Sequence, residues 1–251
     1  MPTTPDIPES GIRAQPEFPR THWSVVVSAS DPASAHAAEA LEKLCRTYWY
    51  PLYAFVRRRG KSPADAQDLT QEFFARLLAR HWLERADQTR GRFRTFLLTA
   101  LERFLANEWD KGHALKRGGA MQFVPLDLTI AETRYGLEPA NPLTPAQVFE
   151  RRWALTLLEM VLEKLALEYA AEGKAKLFAA LKPDLVGTAS SLSYPQLANT
   201  LGLSESGVRV AVHRLRQRYR DLLRTEIANT VASSEDVDLE MRHLFNVLAQ
   251  R

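Results

Sequence analysis

The sequence predicts an all-α protein: two helical domains joined by a flexible linker, the second built around a helix-turn-helix. Three observations carry this. Apolar residues recur at i, i+3, i+4 and i+7 through most of the chain of 251 residues, the period of a helix packed on one side. Between residues 118 and 145 that period dissolves into four prolines and three glycines, and the acids Asp127, Glu132 and Glu138 face Arg134 alone. Finally, Ser193 to Arg224 holds two cappable helical patterns separated by Gly202. The expected boundaries are a disordered leader at 1–20, a helical domain at 21–117, a linker at 118–145, a helix-turn-helix domain at 146–228 and a helical extension at 229–251.

The leader follows from five prolines and little apolar material before Arg20. After it, Thr21 can cap a short helix, although Val25 to Val27 reads equally as a strand. A helix is expected from Ala33 to Trp49 with Leu41, Leu44, Cys45 and Tyr48 inward. Pro51 should end it and start a second stretch that Gly60 closes.

Ser62 to Arg80 is the most informative stretch of the amino-terminal half. Ser62 caps, Pro63 fits the first helical position, and Asp65 completes a capping-box spacing at the positive end of the dipole. Ala66, Leu69, Thr70, Phe73 and Leu77 share one face and should point into the core. A second band, Gln67, Asp68, Gln71, Glu72, Phe74 and Leu78, mixes acids and amides with large apolar groups. It suits either a docking surface for a basic, partly apolar partner or the edge of a wide amphipathic arc.

Phe93 to Lys111 has the cleanest helical period, with Phe93, Phe96, Leu97, Ala100, Leu101, Phe104 and Leu105 on one side. Arg92, Thr95, Thr99, Arg103 and Asn107 lie on the other, and the helix ends in Trp109, Asp110 and Lys111. Beyond the linker, a long helix from Ala146 is closed by Gly173, and a shorter one is stopped by Pro183.

In the last pair of helices, Ser193 and Gln196 form a capping box, and Ala198 lets the helices approach. Gly202 makes the turn, and Ser204 caps the second helix. That helix buries Val208, Ala211, Val212, Leu215 and Tyr219 and turns Ser206, Arg209, Val210, His213, Arg214 and Gln217 outward. Six arginines against one aspartate between Arg209 and Arg224 give it a pull toward phosphate.

The segment DAQDLTQEFFARLL resembles the polymerase-binding helix of bacterial sigma factors of the extracytoplasmic-function type, with Asp65, Ala66, Asp68, Leu69, Gln71, Glu72 and Phe74 matching and Gln67 standing where the family has an acid. That resemblance implies core RNA polymerase as a partner for the Gln67, Asp68, Gln71, Glu72, Phe74 and Leu78 band. It also implies that Arg103, Asn107, Trp109 and Lys111 handle minus-ten promoter DNA, with Ser206, Arg209, Val210, His213, Arg214 and Gln217 at the minus-thirty-five element. An anti-sigma factor or a Ser/Thr kinase acting at Thr70 would be the regulatory partner, although the helical projection favours a packed threonine. The rival reading is a helix-turn-helix regulator whose amino-terminal domain senses a ligand or dimerises.

An enzyme is disfavoured. Asp65, Asp68 and Glu72 have no paired acidic or histidine motif elsewhere, no phosphate loop or nucleophile motif occurs, and neither metal nor cofactor is expected. The single Cys45 excludes intramolecular disulfides and reads as a buried structural thiol. No apolar run approaches membrane-spanning length and the first residues lack a signal pattern, so a cytoplasmic location is expected and no membrane partner.

Overall fold

The computed structural model describes residues 37–79, 82, 92–111, 128–136, 143–186, 192–231, 233 and 235–249. The expectations for the leader, for the stretch after Thr21 and for the unpaired parts of the linker lie outside these residues. Within them the protein is all-α. The helices are α1 (Ala37–Arg58), α2 (Pro63–Ala79), α3 (Phe93–Lys111), α4 (Leu128–Gly136), α5 (Pro145–Ala171), α6 (Ala175–Val186), α7 (Tyr194–Leu201), α8 (Glu205–Ala228) and α9 (Asp236–Ala249).

The helix α5 is the common element. Its buried residues include Phe149, Trp153, Leu157, Val161 and Leu165, a strict four-residue spacing. Each step of four advances about 400° on a helix of 3.6 residues per turn, so this row winds around the axis by about 40° per step. A second row, Leu158, Leu162, Ala166 and Tyr169, is partly buried beside it. With two winding rows, α5 packs against α1 on one side and α6, α8 and α9 on others. The largest helix–helix contact, between α1 and α5, therefore joins the two expected domains, and one continuous apolar core runs through both.

Three sequence expectations are corrected here. Pro51 does not divide the first helical stretch, because α1 continues through it to Arg58. A proline inside a helix costs about 3 kcal/mol, but Tyr48, Leu52, Tyr53, Ala54, Phe55 and Val56 are all buried around it and packing outweighs the lost bond. Pro183 likewise sits within the last turns of α6 instead of stopping it. The third correction is to the linker, whose residues 128–136 form a docked helix.

Nine residues are too few to hold a helix in water unaided, so α4 depends on what it touches. Ala131 is buried, and Glu132 accepts bonds from Arg57 Nε at 2.8 Å and Nη2 at 3.1 Å, with the Tyr53 hydroxyl donating to the same carboxylate. Arg57 also lies 4.7 Å from the centre of the Tyr135 ring, and Arg134 reaches Glu159 of α5 at 3.2 Å. The Arg57 hydrogen bonds hold the Glu132 carboxyl below its ordinary pKa. A depressed carboxylate pKa contributes stability above the unfolded value and loses it as pH falls through the folded one. Glu132→Gln should therefore melt at lower temperature than wild type at neutral pH, with the gap closing on acidification. A gap that persists in acid would show that the carboxylate charge is not what holds α4.

Cys45 is half-buried on α1, and burial, with Glu42 nearby, pushes its thiol up to about 11. The shift of about two units from the ordinary value leaves roughly a hundredfold less thiolate. In mildly alkaline buffer, iodoacetamide should modify native Cys45 about a hundred times more slowly than the urea-unfolded chain, as read by mass spectrometry. Equal rates would place the thiol at the surface.

Candidate functional site

Two exposed surfaces gather the residues singled out in the sequence, one on α2 and α3 and one on α8. The cap of α2 forms as expected: Asp65 N–H donates to Ser62 Oγ at 3.1 Å, and the Ser62 hydroxyl donates to the Asp65 carboxylate at 2.7 Å. From that start, Ala66, Thr70, Phe73 and Leu77 are buried and Leu69 is partly so. Asp68 and Glu72 are exposed, with Gln67 and Gln71 half-buried beside them. Glu72 is paired with Arg76, which also donates to Glu108 of α3 at 2.6 Å and lies 5.0 Å from the centre of the Phe104 ring. The acid edge of α2 is thus tied to α3 by an arginine that the sequence reading did not use.

One assignment on this helix is overturned, and Thr70 takes the packed position that the helical projection favoured. Phe74, expected in the outward band, is 1% exposed and packs edge-on against Phe73, with ring centres 5.8 Å apart. An aromatic side chain at the border of the core face buries more area by turning inward. Thr70 is fully buried and its hydroxyl donates to the Ala66 carbonyl at 2.7 Å, so the folded helix does not offer it to a kinase. The side chains of Leu78, Trp109 and Lys111 lie outside the described residues.

On α3 the inward row is buried or half-buried, and Thr95, Thr99, Arg103 and Asn107 are exposed along the opposite side. Arg92, expected among them, is instead paired with Glu240 of α9 at 2.8 Å. Arg94, absent from the sequence reading, is the buried cation of this helix. Nothing in its local spacing marks it, because the partners that hold it come from α5 and α9.

The second surface rests on a sharp turn. Gly202 adopts φ 65° and ψ 31°, the left-handed region, and the Leu203 N–H bonds the Ala198 carbonyl at 3.0 Å. Ser193 N–H donates to the Gln196 side chain at 2.8 Å, and Gly207 N–H donates to Ser204 Oγ at 3.0 Å, so both α7 and α8 start with a cap. Val208, Val212 and Leu215 are buried, which fixes the rotation of α8 and leaves Ser206, Arg209, Val210, His213, Arg214 and Gln217 exposed as expected. Arg209 is held by Glu205 at 2.6 Å and lies 5.3 Å from the centre of the Tyr194 ring, so its direction is set before any ligand arrives. Val210 is a surface valine at 48% exposure, and with Leu203, Tyr169, Lys174, Leu177 and Arg214 it lines a cleft at the amino end of α8.

The arginines further along α8 are not all alike. Arg218 makes two 2.8 Å bonds to Glu168, whose carboxyl they hold below its ordinary pKa, and Arg216 donates to the Asp184 carbonyl at 3.0 Å. These two brace α8 against α5 and α6, whereas Arg209, Arg214 and Arg220 remain on the exposed side. Among the described residues no group of His, Cys, Asp and Glu is placed to hold a metal ion, and no helix is long and apolar enough to cross a membrane.

Residues 44–113 match the family model described as sigma-70 region 2. The matched segment takes in α1 from Leu44, the whole of α2 and the whole of α3, and leaves α4 to α9 beyond it. No curated protein and no solved structure matches the chain.

A Cβ on Gly202 would meet nothing within 4 Å, so Gly202→Ala tests the backbone alone. Left-handed φ should cost about 1 kcal/mol, read as a shift of the urea midpoint with unchanged slope. No shift would mean that the turn relaxes to another conformation.

Proposed function

We propose that the chain is a sigma factor of the extracytoplasmic-function type, a cytoplasmic protein that binds core RNA polymerase and directs promoter-specific initiation without catalysis of its own. The observation that carries this is the sigma-70 region 2 match falling on α1 to α3, the helices that display the Asp68 and Glu72 edge and the Arg103 and Asn107 side. On this reading Gln67, Asp68, Gln71 and Glu72 meet the polymerase and Arg103 and Asn107 meet the minus-ten strand. Support for the second promoter contact comes from α8, a capped helix entered through a left-handed glycine turn, with its exposed polar residues on one side. Arg209 and Arg214 lie where base edges and phosphates would be met in a major groove. A stand-alone regulator would have no use for the exposed acids of α2, which favours the polymerase-bound reading over it.

The direct experiment is capture of core RNA polymerase by the full chain, followed by run-off transcription. Charge reversal at Asp68 and Glu72, both exposed, should abolish capture while the circular dichroism spectrum stays that of a helical protein. A double variant that binds as well as wild type would remove α2 as the docking helix.

The promoter side makes a separable claim. Arg209→Ala should reduce discrimination among minus-thirty-five sequences by about 1–3 kcal/mol. Arg220→Ala, an exposed residue away from the amino end of α8, should weaken all sequences alike and lower the salt slope by about one unit. Equal, sequence-independent losses from both variants would show that α8 contacts only the DNA backbone.

A further inference from the structure

Among the described residues three charged side chains are buried: Arg94, Glu226 and Glu240. All three lie where the amino-terminal helices meet the carboxy-terminal ones. Glu226 of α8 faces Lys43 of α1 at 3.7 Å and Lys164 of α5 at 3.2 Å. Glu240, on the tail helix α9, is fully buried and takes two arginines at the start of α3, Arg92 at 2.8 Å and Arg94. Arg94 also donates to Glu150 of α5 at 2.8 Å and lies 4.3 Å from the centre of the Trp153 ring, while His243 of α9 meets Glu150 at 3.0 Å. Burial accordingly pulls the Arg94 pKa down.

A buried ion pair is a poor permanent cover. Removing both charges from water costs about as much as their attraction returns, and an apolar residue of the same volume would hold a fixed helix at least as well. A carboxylate at 240 makes sense when α9 spends time off the body, because there it is hydrated whereas a leucine would be exposed. The rest of α9 is built to match: Val237, Leu244 and Val247 are its buried apolar anchors on a helix of 14 residues. Detachment would leave Arg94 with Glu150 but would release Arg92, already 39% exposed, next to the side of α3 that carries Thr95, Thr99 and Arg103.

We propose that α9 is a displaceable latch in which Glu240 stands in for a phosphate, masking Arg92, and that the group which replaces it is the phosphate backbone of duplex DNA lying along α3. The carboxylate and the phosphate are both anions read by a guanidinium fork, so they compete for one site. This deepens the sigma-factor reading in that it rests on α3 facing DNA.

The test uses the full chain and a non-specific DNA duplex, with no polymerase present. Glu240→Gln and Glu240→Ala should each steepen the dependence of log K on log salt by about one unit, one more phosphate contact. Adding Arg92→Ala should cancel the gain. In the same proteins, amide exchange across 236–249 should quicken by roughly a hundredfold while α7 and α8 keep wild-type protection. An unchanged slope, a gain that survives Arg92→Ala, or loss of helicity beyond α9 would each overturn the latch, the last by making α9 a structural brace. Failure here leaves polymerase binding untouched, and failure of the wild-type chain to capture polymerase would sink the sigma-factor reading without altering these salt slopes.

Discussion

Everything in this protein depends on burying α5. Its two apolar rows wind around the helix, so no single flat partner can cover them, and α1, α6, α8 and α9 must each take a sector. Trp153, nearly without exposure, sits at the crossing of these sectors, with Arg94 of α3 over its ring. The position of α8 is a consequence of that packing. The two surfaces proposed to meet polymerase and promoter thus share one core.

Charge does a different job from apolar burial in this arrangement. The apolar contacts set which helices touch, and the ion pairs at their edges set register: Arg218 to Glu168 fixes α8 along α5, Arg57 to Glu132 fixes α4 along α1, and Arg76 to Glu108 fixes α2 along α3. Partly exposed pairs of this kind contribute little stability each. Their geometry matters more, since each uses up an arginine that composition alone would have counted toward nucleic acid. On α8 this separates Arg216 and Arg218, which hold the helix, from Arg209 and Arg214, which face outward.

Much of this was legible in the chain because it is local. Caps at Ser62, Ser193 and Ser204, the left-handed turn at Gly202, and the inward rows of α3 and α8 are decided within about one helical turn, and each formed as the residue pattern required. The outward residues of α8 followed from the same arithmetic, since fixing Val208, Val212 and Leu215 inward leaves them no other side. The motif on α2 was equally readable, and the family match falls on the same helices.

What the sequence by itself determined, then, was helix identity outside the linker, the starts of α2, α7 and α8, and which face of α3 and α8 is apolar. Only the tertiary structure decided that Pro51 lies inside a continuous helix, that residues 128–136 dock instead of hanging free, and that Phe74 turns into the core. It alone revealed Arg94 and Glu240, residues 146 positions apart in number and joined in a buried pair. The reason is the same in each case. A helical period reports how a residue relates to its neighbours three and four places away, whereas a proline's tolerance, a short helix's persistence and a buried charge's partner depend on groups brought from other helices.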